Sequence, residues 1–204
     1  MAAMSIAALL LPARCAVCGA PGGSPCPSCV AALRPPPVLE PPDGLDSLAA
    51  LVRYDEVARA VVTAVKYRNA RASIEGLAPA LASLAPPGLV AVTWAPTTPE
   101  RARARGFDQA ELLARSVARH LDLPARRCLR RLAGPHQTGR GADQRRLGPR
   151  FAASGRPVGP LLVVDDVCTT GATLSAASAA LRGAGARTVH GLVLARTPAR
   201  EARR

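Results

Sequence analysis

The chain has 204 residues, 49% of them hydrophobic and only 2% aromatic, so it can bury the core of one ordinary domain built mainly from Ala, Val and Leu. Its formal net charge of +13 favours polyanionic partners, either nucleic acid or phosphate-rich substrates, although a general enrichment in arginine is the alternative explanation. The apolar start, Met1 to Leu11, has no basic segment and is too short to span a bilayer. We therefore expect a cytoplasmic protein with reduced cysteines and no membrane insertion.

The first unit, residues 1–34, contains a predicted apolar helix followed by four cysteines. Cys15 pairs with Cys18 and Cys26 with Cys29 in two Cys-x-x-Cys motifs, which a turn rich in Gly and Pro separates. Two such motifs can bring four thiolates to one tetrahedral ion, so the spacing predicts a structural Zn²⁺ site. Two disulfides in an exported protein are the alternative. Because so small a unit buries little core, we expect the metal to hold it folded.

A proline-rich joint follows, with Pro35–Pro37 and Pro41–Gly44, and its composition predicts a stiff linker without helix or strand. The second unit, residues 45–197, alternates helices with short apolar strands. Helix caps are predicted at Asp55, Ser73 and Asp108, each followed by apolar residues at helical spacing. Strands are predicted over 89–95, 161–164 and 189–194, and a further helix over 173–182. This alternation predicts an α/β fold with a mainly parallel sheet and helices on both faces.

The strongest local signal is the run from Leu162 to Thr173. A buried strand ends in Asp165 and Asp166, and a short loop of hydroxyl residues with Gly171 leads into a helix. Open α/β sheets bind ligands at the carboxyl ends of their strands, and a helix N-terminus favours a phosphate. Two carboxylates repel phosphate but suit the hydroxyls of a sugar, so the pattern indicates a ribose 5-phosphate. The alternative is a strand end with Asp caps and a Thr-Gly turn.

This run resembles the motif with which type I phosphoribosyltransferases bind phosphoribosyl pyrophosphate (PRPP). The resemblance implies that fold, and it implies that Asp165 and Asp166 bind the ribose hydroxyls while Mg²⁺ bridges ribose and pyrophosphate. The 5-phosphate is then held by Thr169, Thr170, Gly171, Ala172 and Thr173. In such enzymes a nucleophile displaces pyrophosphate from C1 of the ribose, and fixed cations and dipoles stabilise the developing charge.

Almost the whole chain resembles one branch, the ComF family, which includes competence and gluconate-utilisation accessory proteins. Besides the paired cysteines, the similarity rests on the segments 65–68, 105–114 and 137–151. Asp108 stands where the family usually has Asn, and Asn69 stands where Gly is usual.

Basic residues of these segments are candidate contacts for pyrophosphate. Lys66 and Arg68 lie near the place where such enzymes have a pyrophosphate loop, and a solvated helix end is the alternative. Arg105 either lines the site or lies on an exposed turn. Arg145 belongs to an arginine-rich segment, residues 131–150, which can close over pyrophosphate or contact a nucleic-acid backbone instead.

Two functions remain open from these residues. One is a phosphoribosyltransferase, an enzyme of pentosyl group transfer that uses PRPP, Mg²⁺ and an unidentified acceptor, with the cysteine unit as the hood that chooses the acceptor. The other is a non-catalytic, PRPP-regulated accessory protein of DNA uptake. It would bind single-stranded DNA or a protein of the competence machinery. Contacts with DNA would be made mainly to its backbone phosphates, because aromatic residues are scarce.

Overall fold

The computed structural model describes residues 14–15, 17–22, 24–38, 40–66, 70–132 and 148–197. The predicted helix over Met1 to Leu11, the candidates Arg68 and Arg145, and most of the arginine-rich segment lie outside these residues. Within the described part of the chain, no helix has the length and apolar composition needed to cross a membrane.

Helices and strands alternate along the second unit, as the sequence predicted. The helices of the described residues are α1 (Pro27–Ala31), α2 (Glu56–Lys66), α3 (Ala70–Ala82), α4 (Pro99–Arg105), α5 (Gln109–His120) and α6 (Ala172–Gly183). The strands are β1 (Ser47–Arg53), β2 (Ala91–Trp94), β3 (Leu129–Arg131), β4 (Phe151–Ala153), β5 (Leu161–Cys168) and β6 (Val189–Arg196).

Four of these strands form one parallel sheet in the order β1-β6-β5-β2. Residues 161–164 of β5 are at most 1% exposed, because helices cover both faces of the sheet. One face packs against α2, α3 and α5 through residues such as Val61, Leu77 and Leu113. The other packs against α6 and the β3–β4 pair through Leu174 and Leu129, among others. The predicted α/β class with a mainly parallel sheet is confirmed.

Two structural elements were not predicted from the sequence. Strand β1 reads Ser-Leu-Ala-Ala-Leu-Val-Arg, which contains one β-branched residue, and only its pairing with β6 makes it a strand. The antiparallel pair β3–β4 has strands of three residues each. Runs of this length are too short to show a periodic pattern.

The helix caps were predicted with mixed success. Asp55 and Asp108 cap α2 and α5, where their carboxylates accept hydrogen bonds from Ala58 and from Ala110 respectively. The cap at Ser73 is wrong, because α3 already begins at Ala70. Ser73 lies fully buried inside the helix, and its hydroxyl donates to Ser24 Oγ at 3.4 Å.

The first unit packs on the second rather than standing apart from it. Val17, Val30 and Leu33 contact the core under α2 and α3. The described residues of the proline-rich joint form no helix or strand, as predicted. The joint is nevertheless no free spacer, since Pro42 lies so close to Gly171 that a Cβ there would be 2.6 Å from the Pro42 ring.

Candidate functional site

A cavity of about 470 Å³ opens at the carboxyl ends of the parallel strands. Its floor is formed by residues 165–167 of β5, residues 95–97 after β2, and Thr197 after β6. This position is where open α/β sheets bind ligands. Strand β2 stays paired with β5 only as far as Val164, whereas β6 remains paired with β5 as far as Cys168. The departure of β2 leaves the next residues of β5 facing the cavity.

Those next residues are Asp165 and Asp166. The sequence suggested that the strand ends in these acids, but β5 continues two residues beyond them. Asp165 Oδ1 accepts from the backbone N–H of Asp166 at 2.8 Å, and Asp166 Oδ1 accepts from that of Val167 at 2.7 Å. Burial, together with the charge of Asp166, raises the pKa of Asp165 well above its ordinary value.

Lys66 lies at the same acids, although it is a hundred residues away in the chain. It is the last residue of α2, and its Nζ lies 2.9 Å from Asp166 Oδ2. Only about a quarter of the Lys66 side chain and a fifth of the Asp166 side chain are exposed. The structure thus brings this predicted candidate to the candidate acids.

The loop after β5, residues 169–173, is called here the phosphate loop. It includes Gly171, which has φ +86° and is the N-cap of α6, and the first two residues of that helix. The first N–H groups of α6 face this loop, as in anion sites at helix N-termini, and the N–H of Ala172 donates to Thr170 Oγ1 at 3.4 Å. A small cavity of about 30 Å³ lies within the curve of the loop, and Thr173 lines both cavities.

Two further residues contact the phosphate loop. Arg196, at the end of β6, donates from one guanidinium nitrogen to Thr169 O and to Cys168 Sγ, both at 2.7 Å. Cys168 is 3% exposed, and burial raises the pKa of its thiol, which disfavours a nucleophilic role. Gly148, at the end of the arginine-rich segment, lies against Ala172, with 3.2 Å between a Cβ placed on it and the Ala172 Cβ.

The wall of the cavity on the β2 side carries positive charge. Arg101 and Arg105 come from α4, and Arg131 from β3. Arg131 donates to Pro96 O at 3.2 Å and lies over the Phe151 ring, which holds its guanidinium in place. Burial lowers the pKa of Arg131, and the charge of Arg101 lowers it further.

Sequence reasoning named Arg105 as a candidate and included Arg131 only as the first residue of the arginine-rich segment. The structure places Arg131 on β3, where it lines the cavity. Sequence reasoning missed Gln109, which lines the cavity from the start of α5, although the residue lies inside the segment 105–114. None of the described residues of the cysteine unit lines the cavity. The described part of the chain therefore gives no support to the cysteine unit as a hood.

The cysteine unit has its own candidate centre. The Sγ atoms of Cys15, Cys18, Cys26 and Cys29 all lie within 4.8 Å of one another, and those of Cys18 and Cys26 are 3.7 Å apart. A tetrahedral Zn²⁺ with Zn–S bonds of about 2.3 Å requires sulfurs about 3.8 Å apart, so the arrangement fits the ion. All six cysteines of the chain are free in this structure.

The four thiols do not share the same proton affinity. Burial acts to raise the pKa of Cys15, but backbone hydrogen bonds from Cys18, Cys26 and Val17 lower it to about 6. Burial and hydrogen bonds from the other three thiols raise the pKa of Cys29 to about 12. Such a cluster resists full ionisation by itself, and a bound divalent cation would stabilise all four thiolates.

Comparison with known proteins finds a family match over the part of the chain that contains Asp165 and Asp166. Residues 108–204, just under half of the chain, match the family model described as the phosphoribosyl transferase domain. No curated protein matches the chain.

Two solved structures resemble the fold at 17% identity. One is described as the allosteric regulatory enzyme of purine biosynthesis, with a TM-score of 0.46 over 65% of this chain. The other is glutamine PRPP amidotransferase from B. subtilis complexed with ADP and GMP, with a TM-score of 0.45 over 64% of this chain. The chain spans 30% of the length of each. The domain match and the parallel sheet agree with the predicted type I phosphoribosyltransferase fold, and the region that holds Asp165, Asp166 and the phosphate loop is similar to the phosphoribosyl transferase domain.

Proposed function

We propose that this chain is a ComF-like protein that binds PRPP with Mg²⁺ and transfers the phosphoribosyl group to an acceptor. The observation that carries the proposal is that two neighbouring acids line one cavity together with Thr169 and Thr173 of the phosphate loop. Both features lie in the region that matches the phosphoribosyl transferase domain.

The phosphate loop would hold the 5-phosphate. Gly171 lets the backbone approach closely, and the N-terminus of α6 attracts negative charge. The loop hydroxyls add donors in hydrogen-bond reach of such an anion. The loop residues assigned to this role are Thr169, Thr170, Gly171, Ala172 and Thr173.

Asp165 and Asp166 would accept hydrogen bonds from the ribose hydroxyls. Carboxylate oxygens are also the protein ligands that Mg²⁺ prefers, so this pair fits the ion. When bound, Mg²⁺ neutralises part of the pyrophosphate charge. Lys66 pairs with Asp166 Oδ2, and Mg²⁺ at this acid would free the Lys66 ammonium to turn toward the pyrophosphate.

The positive wall would stabilise the leaving group. As the acceptor donates an electron pair to C1, the bond from C1 to the pyrophosphate oxygen breaks, and its electron pair leaves with pyrophosphate. Arg101, Arg105 and Arg131 are cations that line the cavity and would stabilise that charge. Gln109 holds Arg105, and Pro96 holds Arg131, so these two need little reorganisation. Arg68 and Arg145 remain predicted contacts of the same group.

The cysteine unit would hold a structural Zn²⁺. Four thiolates from Cys15, Cys18, Cys26 and Cys29 leave no open coordination position for water. The ion would therefore maintain the fold of this unit and take no part in the transfer.

Calorimetric titration of PRPP in the presence of Mg²⁺ tests the proposal. Binding to the native chain should weaken about a hundredfold or more in the double variant Asp165→Asn/Asp166→Asn, since two charged acceptors are lost. Glu75→Gln is the matched control, because this acid lies on α3, pairs with Arg119 and is remote from the cavity. Absence of PRPP binding to the native chain would refute the proposal.

DNA binding is the second candidate, and the net charge of +13 favours it. Any such binding should be dominated by phosphate contacts, so its affinity for a single-stranded oligonucleotide should fall steeply with salt and depend little on sequence. Both arginines of α5 already have acidic partners, since Arg115 pairs with Glu111 and Arg119 with Glu75, so they offer little free charge to DNA. Affinity that is independent of salt would exclude this function.

A further inference from the structure

Gln109 combines deep burial with an unused donor. It is the first residue of α5, it lines the cavity, and it is 2% exposed. Its Oε1 accepts a hydrogen bond from Arg105 Nη1 at 2.8 Å. In the described part of the chain, its Nε2 is buried and has no hydrogen-bond partner.

An unpaired buried donor is destabilising, and native proteins leave few of them without a reason. The other such atom among the described residues is Trp94 Nε1, but Trp94 does not line the cavity. Gln109, by contrast, lines the cavity, so its unused donor lies beside a space that has room for a ligand.

The surroundings of Gln109 indicate what that ligand offers. Because its carbonyl end is held by Arg105, its NH₂ end is the part left for another molecule. Arg101, Arg105 and Arg131 line the same wall, so an anion is the group that this wall attracts. Asp108 does not supply an acceptor to Gln109, since its two oxygens accept from the backbone of Thr97, Ala110 and Glu111.

We propose that Gln109 binds the pyrophosphate of PRPP, with Oε1 orienting Arg105 and Nε2 donating to a pyrophosphate oxygen. This inference rests on the proposed function. It explains why a neutral amide suits this position: a carboxylate would pair with Arg105 and repel the pyrophosphate, while an apolar side chain would offer neither contact.

The test separates the two halves of the ligand. Inorganic pyrophosphate with Mg²⁺, ribose 5-phosphate and PRPP are each titrated into the native chain, Gln109→Met and Gln109→Glu. Met keeps the length of the side chain without its amide. We expect the affinity for Mg²⁺-pyrophosphate to fall about tenfold in Gln109→Met and further in Gln109→Glu. The affinity for ribose 5-phosphate should change less than about twofold, because that sugar phosphate binds away from Gln109.

Glu111→Gln is the control, since Glu111 lies on the same turn of α5 but pairs with Arg115 outside the cavity. It should leave the affinity for all three ligands unchanged. Native-like pyrophosphate affinity in Gln109→Met and Gln109→Glu would overturn the inference and leave the proposed function standing. An equal loss for ribose 5-phosphate and pyrophosphate would overturn it too, because that result indicates general damage to the fold. A native chain that binds none of the three ligands would overturn both proposals.

Discussion

The phosphate loop and the cysteine unit are both short loops that gather several functional groups, but they are supported differently. The phosphate loop follows β5, whose residues 161–164 are at most 1% exposed, and it leads into a helix of 12 residues. The cysteine unit contains α1, a helix of five residues with no buried side chain. One loop takes its shape from the sheet core, whereas the other has little core of its own.

This difference teaches where binding energy is needed for folding. The buried strand and α6 position the phosphate loop, so ligand binding requires little ordering there. In the cysteine unit, four thiols within 4.8 Å repel one another once ionised. A metal ion removes that repulsion, and its binding free energy becomes folding free energy.

The largest expected effect that separates the two loops is that of metal removal. Chelation of the purified protein is expected to unfold the described residues of the cysteine unit while the amides of β5 and α6 stay protected. The melting temperature should fall as well, since Val30 and Ser24 contact the second unit. Hydrogen exchange resolved by residue, before and after chelation, measures both effects. Unchanged protection over 14–34 after complete loss of metal would contradict a structural role for the ion.

A matched pair of glycines sharpens the comparison. Gly171 and Gly19 have similar positive φ angles, +86° and +73°, but a Cβ on Gly171 would lie 2.6 Å from Pro42, while one on Gly19 meets nothing within 4 Å. Gly19→Ala should cost only the backbone strain, about 1–2 kcal/mol. Gly171→Ala should cost more and weaken PRPP binding about tenfold, because the phosphate loop must move away from Pro42.

Chemical denaturation and PRPP titration of both variants measure these effects. Equal destabilisation by the two substitutions would mean that the contact with Pro42 does not constrain the phosphate loop.

The smallest expected effect concerns pH and Asp165. Burial and the charge of Asp166 raise the pKa of Asp165 in the folded chain above the ordinary 3.8. At pH values between 3.8 and the raised pKa, the folded state therefore holds a proton that the unfolded state has lost. The contribution of Asp165 to stability is therefore most favourable at low pH and is lost as pH rises from about 4 through the raised value. Without Mg²⁺, Asp165→Asn should stabilise the protein at pH 7.5 by on the order of 1 kcal/mol, and this gain in stability should vanish toward pH 4.

Urea denaturation of both proteins across this pH range, without Mg²⁺, provides the measurement. Two stability curves that run parallel at every pH would show that Asp165 titrates normally.

The sequence predicted best where several local signals agreed. The apolar run of β5, the paired acids, the glycine and the start of α6 are neighbours in the chain, and their order predicted a strand, a short loop and a helix in the places where the structure has them, except that β5 runs two residues past the acids. The caps at Asp55 and Asp108 were also correct because capping acts within three residues. The predicted cap at Ser73 was wrong because a serine inside a helix can be followed by the same apolar spacing as a serine at its cap. The burial of Ser73 against Ser24 depends on the first unit, which lies far away in the sequence.

By itself, the sequence determined the alternation of helices and strands, the acids with their phosphate loop and the four-cysteine cluster. Each of these rests on residues close together in the chain, whose geometry short-range sterics and hydrogen bonding dictate. Only the tertiary structure decided that Lys66 contacts Asp166, that Arg131 and Gln109 line the cavity, and that the first unit packs on α3. Such contacts depend on the order of strands in the sheet and on which helix covers which face, and burial of the whole core selects that arrangement.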